Sequence, residues 1–154
     1  MQILLPKAIT KKLIKALKKA GSREIGGILM GEYISESVYR IEDITIQQEG
    51  GNSIFFMRLI QGIRNPLEHF FHKKDYQFTR FNYLGEWHSH PNFIPEPSGT
   101  DCSSMWEIVE DPDVGANFAV LMIVKLNQTQ DLEGTVTVFL PKHQMFKAVL
   151  VQEQ

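Results

Sequence analysis

Apolar positions recur along this chain first at helical and then at strand spacing. Leu13, Ala16, Leu17 and Ala20 form one stripe, and Lys11, Lys12, Lys15, Lys18 and Lys19 surround it. That pattern predicts a helix over 7–20, with Gly21 as its stop. Ile25–Tyr33 reads as a buried strand in which Gly26, Gly27 and Gly31 allow close backbone approach. Ser35–Glu36–Ser37 looks like a turn, and a second strand covers Tyr39–Gln47. Gly50–Gly51–Asn52 then breaks the pattern before a short third run at Ile54–Arg58.

Asn65–Pro66 marks a helix start, because Asn caps free amides and Pro suits the first helical position. Leu67, Phe70, Phe71 and Phe78 supply the apolar face that follows. Strand character returns at Tyr83–His88, and Pro91, Pro95 and Pro97 exclude a regular element before Ser98. A helix is expected from about Asp101. Phe118–Leu126 is nearly all apolar and reads as a central strand covered on both faces, with Thr135–Leu140 and Gln144–Val151 as two more strands. Neither a repeat, nor a low-complexity tract, nor a linker divides the chain. The order predicts one α+β or mixed α/β domain over residues 1–154, with a single sheet flanked by helices.

Composition narrows the class. A chain of 154 residues can bury roughly 70% of its unfolded surface, so it needs neither disulfides nor a metal in order to fold. Any metal must therefore be explained by chemistry. The 16 Lys and Arg nearly balance 18 Asp and Glu, and a net charge of −2 supplies no global field for nucleic acid or an anionic membrane. Cys102 is alone, which excludes an internal disulfide and suits a reducing cytosol. No apolar run approaches the length of a membrane span, and the lysine-rich start lacks the core of a signal peptide. The expectation is a soluble cytoplasmic domain.

The chemistry is concentrated in Trp87–His88–Ser89–His90–Pro91 and Ser98–Gly99–Thr100–Asp101. On a strand, residues i and i+2 share a face, so His88 and His90 can aim two imidazoles at one point while Asp101 closes the site from a helix start. Two imidazoles and a carboxylate are the protein ligands of a catalytic zinc whose fourth position stays open. Hydrolysis also needs a group to take a proton and return it to the leaving amine, and Glu24, at the head of the glycine-rich strand, is the candidate. Ser98 could donate a hydrogen bond to the oxyanion of a scissile carbonyl.

Glu24, then His88–Ser89–His90–Pro91, six residues, Ser98, two residues and Asp101 resembles the complete motif of the JAMM (MPN-plus) metalloproteases. The likeness extends to the Glu–x–Gly–Gly–x–Leu–x–Gly strand from Glu24, the helix before it and the apolar strand after Asp101. The resemblance implies a single curved, mostly antiparallel sheet flanked by helices. It also implies zinc-dependent hydrolysis of the isopeptide or peptide bond after the tail of a ubiquitin-like modifier. His88, His90 and Asp101 would bind one zinc ion, Glu24 would act as general base and acid, and Ser98 would stabilise the tetrahedral intermediate. The short chain is similar to stand-alone prokaryotic members, some of which belong to antiviral operons with ubiquitin-like conjugation machinery. Residues 50–81 look like an insertion that shapes the substrate groove. A non-catalytic scaffold of the same fold, and a peptidase acting on a sulfur-carrier adduct, are the competing functions.

Other residues have plainer explanations. Ser98–x–x–Asp101 is also a helix capping box, and both roles can hold at once. Glu24 on local sequence alone is equally a solvated residue at a helix-to-strand turn. His69 and His72 sit among Phe70 and Phe71 without a third ligand, and His143 reads as a surface residue. Cys102 follows Asp101 by one helical step of about 100°, which turns it away from a shared metal. Trp87 and Trp106 either wall the groove or pack in the core, and the lysines of the first helix read as a solvated face.

Overall fold

The computed structural model of the protein describes residues 1–47 and 64–154. Its elements are β1 (Gln2–Leu5), α1 (Lys7–Ala20), β2 (Gly26–Ser35), β3 (Val38–Ile44), α2 (Arg64–Lys73), β4 (Phe81–Ser89), α3 (Gly99–Glu110), β5 (Ala119–Leu126), β6 (Leu132–Leu140) and β7 (Gln144–Gln152). The expected break at Gly50–Gly51–Asn52, the run at Ile54–Arg58 and the first part of the suspected insertion lie outside the described residues.

The fold is mixed α/β, as the order of elements predicts, but the sheet is closed rather than merely curved. Its strands follow one another in the order β1, β3, β2, β4, β5, β6, β7, and β7 returns to β1. The closing strand is the one the hydrophobic pattern does not announce. Gln2–Leu5 is only four residues long, yet it pairs in parallel with both β3 and β7. With β4 against β5 that makes three parallel pairings, while the other four are antiparallel.

Alternation sorts the side chains into layers. Trp87, Val120, Met122, Val124 and Val138 join Ile3, Leu5 and Leu29 around the stripe Ile9, Leu13, Ala16, Leu17 and Ala20 of α1. The opposite face of β5 and β6 gives Ala119, Leu121, Ile123 and Phe139 to Met105, Ile108 and Val109 of α3. β5 is thus buried on both faces, which explains its unbroken apolar sequence. Phe70 of α2 covers Ile28, Met30 and Phe81.

Two local departures from the sequence reading concern α2. The helix begins at Arg64, so Asn65 lies inside its first turn, and it ends at Lys73 before Phe78. Asp75 and Tyr76 take positive φ values of 53° and 55°, which turns the chain and brings Phe78 edge-on to Phe71 from outside the helix. Asn65 and Pro66 occupy positions whose amides have no intrahelical partner, which is why Pro is accommodated there.

Candidate metal centre

The centre stands where β4 leaves β2. Gly26 of β2 lies opposite His88 of β4. A Cβ at residue 26 would sit 2.9 Å from His88 Cβ and 2.5 Å from the Trp87 carbonyl oxygen, so the glycine makes room for the imidazole. Further back on β4, Gly85 adopts φ 152° where a Cβ would meet the Val120 carbonyl oxygen at 1.9 Å. A register shift accompanies it between Leu29 and Met30 on the partner strand. This bulge resets the alternation, so that Leu84 and Trp87 face the α1 layer while Glu86, His88 and His90 share the other side.

His88, His90 and Asp101 each offer a ligand atom within 4.8 Å of the others. The two Nε2 atoms are 3.2 Å apart, and Asp101 oxygens lie 3.3 Å from His88 Nε2 and 3.6 Å from His90 Nε2. Ligands at about 2.0–2.1 Å from a tetrahedral zinc stand about 3.3–3.4 Å from one another, close to the His88–His90 separation and to that of His88 from Asp101 Oδ1, while the His90 distance is to Oδ2. The donor chemistry and the spacing both fit zinc.

His90 and Asp101 are held from behind. His90 Nδ1 is 3.1 Å from the Ile94 carbonyl oxygen. A carbonyl can only accept, so Nδ1 carries the proton and the neutral ring keeps its Nε2 lone pair for a metal. Asp101 Oδ2 accepts the Ser98 amide at 2.7 Å, while Ser98 Oγ accepts the Asp101 amide at 3.1 Å. That reciprocal box starts α3, so capping and ligand placement are one arrangement. Burial opposes charge on Asp101, but His88 and the Ser98 amide and hydroxyl outweigh it and hold the carboxyl down at about 2. Asp101 therefore presents a charged oxygen at neutral pH.

Ser98 is exposed, and its Oγ caps α3 beside the Asp101 carboxylate. Glu24 is half-buried and lies just before β2. It is not one of the clustered ligands. It directly precedes Ile25, whose amide donates to Ser89 Oγ and whose carbonyl accepts the Ser89 amide.

The remaining expectations divide. Trp87 is wholly buried and its Nε1 donates to the Thr45 carbonyl at 2.8 Å, which makes it core. Trp106 packs edge-on to Phe139 and stacks on His143, whose Nδ1 contacts Glu110 at 2.8 Å. His69 and His72 are exposed on α2, outside the ligand cluster. Cys102 packs at the edge of the α3 layer, and burial followed by the Asp101 charge pushes its thiol up, against a nucleophilic role.

Sequence reading missed Glu86 and Ser89. Glu86 is buried two residues before His88, and its Oε1 has no hydrogen-bond partner among the described residues. Burial first, and then the Asp101 charge, push its carboxyl up to about 8. Strand parity was the available signal, since residues 86, 88 and 90 share one side. Ser89 is a polar residue at a core-facing position, which was its own signal. A cavity of about 660 Å³ lies toward the other end of β4, lined by Tyr33, Phe71, Phe78, Tyr83 and Phe118, and none of the candidate site residues reaches it.

Residues 6–137 match the family of prokaryotic homologs of the JAB domain. The chain belongs to this family. A curated relative of this JAB domain, the CD-NTase/cGAS isopeptidase of Enterobacter hormaechei subsp. hoffmannii (strain UCI 50), is 34% identical over 125 residues, covering 79% of this chain and 66% of the relative. The match thus spans just under two thirds of that protein's length. The fold is similar to the solution structure of a protein from Desulfitobacterium hafniense, with a TM-score of 0.66 and 16% identity over 99% of this chain and 93% of that one. It is also similar to that of a protein from Salinibacter ruber, with a TM-score of 0.56 and 14% identity over 97% of this chain and 91% of that one. No helix among the described residues of the JAB domain is long and apolar enough to cross a membrane.

Proposed function

We propose that this JAB domain, a single catalytic unit over residues 1–154, is a zinc-dependent isopeptidase that hydrolyses the bond after the C-terminal tail of a ubiquitin-like modifier. The observation that carries the reading is the convergence of His88, His90 and Asp101 within 4.8 Å of one another, beside the helix cap formed by Ser98. The relative named CD-NTase/cGAS isopeptidase supports the isopeptidase class, and the reading places the activity in bacterial antiviral signalling in the cytoplasm.

His88, His90 and Asp101 would hold the ion, and a zinc bound there would supply Lewis acidity and lower the pKa of water. Glu24 takes the proton from the attacking water and delivers it to the leaving amine nitrogen as the C–N bond breaks. The Ser98 hydroxyl donates to the oxygen of the scissile carbonyl as negative charge develops on it. The Ile94 carbonyl keeps the His90 proton on Nδ1 throughout, so the ring does not compete for the transferred proton. The modifier tail lies extended beside the strand end that carries His88, with backbone hydrogen bonds supplying affinity and side-chain pockets supplying selectivity.

Incubation of the zinc-loaded protein with lysine conjugates of a panel of ubiquitin-like modifiers tests this reading. Release of free modifier by the wild type, lost in His88→Ala together with the bound zinc, is the expected result. Unimpaired cleavage by His88→Ala contradicts it.

A further inference from the structure

Ile25 stands between Glu24 and Gly26, and Ser89 takes both of its backbone polar groups. The Ser89 amide donates to the Ile25 carbonyl at 2.8 Å, and the Ile25 amide donates to Ser89 Oγ at 3.0 Å. In an ordinary antiparallel pair the second bond would go to the partner's carbonyl. Here the hydroxyl replaces it. One residue later the His90 amide donates to the Val124 carbonyl of β5 at 3.0 Å, so the chain follows β5 and parts from β2. The Ser89 hydroxyl therefore holds Ile25 to the end of β4 at the point where the next residue, His90, bonds β5 instead.

Ser89 is fully buried. Between His88 and His90 on a strand, its side chain points away from the face they share, so it contacts neither a metal nor a substrate. We propose that Ser89 is a positioning residue that sets the Glu24 carboxylate against the histidine pair through the Ile25 backbone. The proposal rests on the isopeptidase reading of the site. Without Oγ, the buried Ile25 amide must find another acceptor or turn to water, and either response moves residue 24. A displacement of about 1 Å in a reacting group costs on the order of 100-fold in rate.

The test compares zinc-loaded wild type, Ser89→Ala and Ser89→Thr on a cleavable conjugate, with zinc content measured in the same samples. Ser89→Ala is expected to lower kcat roughly 10- to 100-fold, in the range of supporting-residue effects, with KM and zinc stoichiometry retained. Ser89→Thr keeps the hydroxyl and is expected to recover most of that loss. In a Glu24→Gln background, Ser89→Ala is expected to cost nothing more, because it acts through the missing base. Undiminished kcat in Ser89→Ala, joint loss of zinc and activity, no recovery in Ser89→Thr, or a full additional loss in the Glu24→Gln background each overturns the proposal. If Ser89→Ala does not fold, Ser89→Cys fills the space with a weak acceptor and carries the same comparison. A wild type that cleaves no conjugate defeats the isopeptidase reading instead. The Ser89 clamp is then judged by hydrogen exchange, where equal protection of the Ile25 amide in wild type and Ser89→Ala overturns it.

Discussion

Gly26 faces His88 across the β2–β4 pair with no room for a side chain: a Cβ at residue 26 would stand 2.9 Å from His88 Cβ. The glycine-rich strand and the histidine motif, separated by more than sixty residues in sequence, are therefore one steric unit. Gly26→Ala must push His88 away or separate the strands. The expected outcome is at least a tenfold weaker affinity for zinc together with a lower melting temperature, read by metal titration and thermal unfolding. Wild-type zinc affinity in Gly26→Ala would show that β2 and β4 yield there without cost.

Ser98 and Asp101 share the cap of α3 but do different work. Ser98→Ala removes an N-cap acceptor, which costs about 1 kcal/mol of stability, and, in the proposed mechanism, a donor to the scissile carbonyl, which costs about 100- to 1,000-fold in kcat. Zinc is retained because the three ligands remain. Asp101→Asn can still accept the Ser98 amide but lacks the charge, so it keeps much of the cap and loses zinc. Thermal unfolding, metal analysis and kcat on the same two variants separate these effects. Equal zinc loss in both variants would contradict the division.

Glu86 gives a dependence on pH. Its folded value of about 8 exceeds its reference value of 4.5, so between those limits the folded state keeps a proton that the unfolded chain has released. The stability this proton contributes is full below about 4.5 and is lost as pH rises toward 8. Glu86→Gln does not titrate. In metal-free protein its melting temperature is expected to gain on the wild type steadily from pH 5 to pH 8, with the difference levelling off above that. A difference that stays constant across this range would show that Glu86 is ionised in the folded protein.

What could be read in the sequence was what depends on short spacing. The His88 and His90 pair, the Ser98 and Asp101 box and the stripe of α1 each lie within one element or one turn, so strand and helix periods suffice to place them. β1 could not be read this way. Four residues carry too little periodicity, and the partners that make Gln2–Leu5 a strand, beginning at Val38 and Val149, are supplied by tertiary structure. The same holds for Phe78, which looks like the next apolar position of α2 but reaches Phe71 from a turn built on two left-handed residues. Glu86 and Ser89 were missed for a different reason. Glu86 lies just before the motif and Ser89 inside it, and the pairing of β4 with β2 and the approach of α3 show that one is buried beside Asp101 and the other grips Ile25.

In the proposed mechanism Glu24 moves the proton in a hydrolysis carried out at the His88, His90 and Asp101 site. The most direct test is single-turnover cleavage of a ubiquitin-like modifier joined to lysine, by zinc-loaded wild type and Glu24→Gln, with zinc counted in both. The expected result is one zinc per chain in each protein and a rate about 100- to 10,000-fold lower in Glu24→Gln, the range that general acid–base catalysis supplies. Cleavage by Glu24→Gln at the wild-type rate, with equal zinc, would contradict the account.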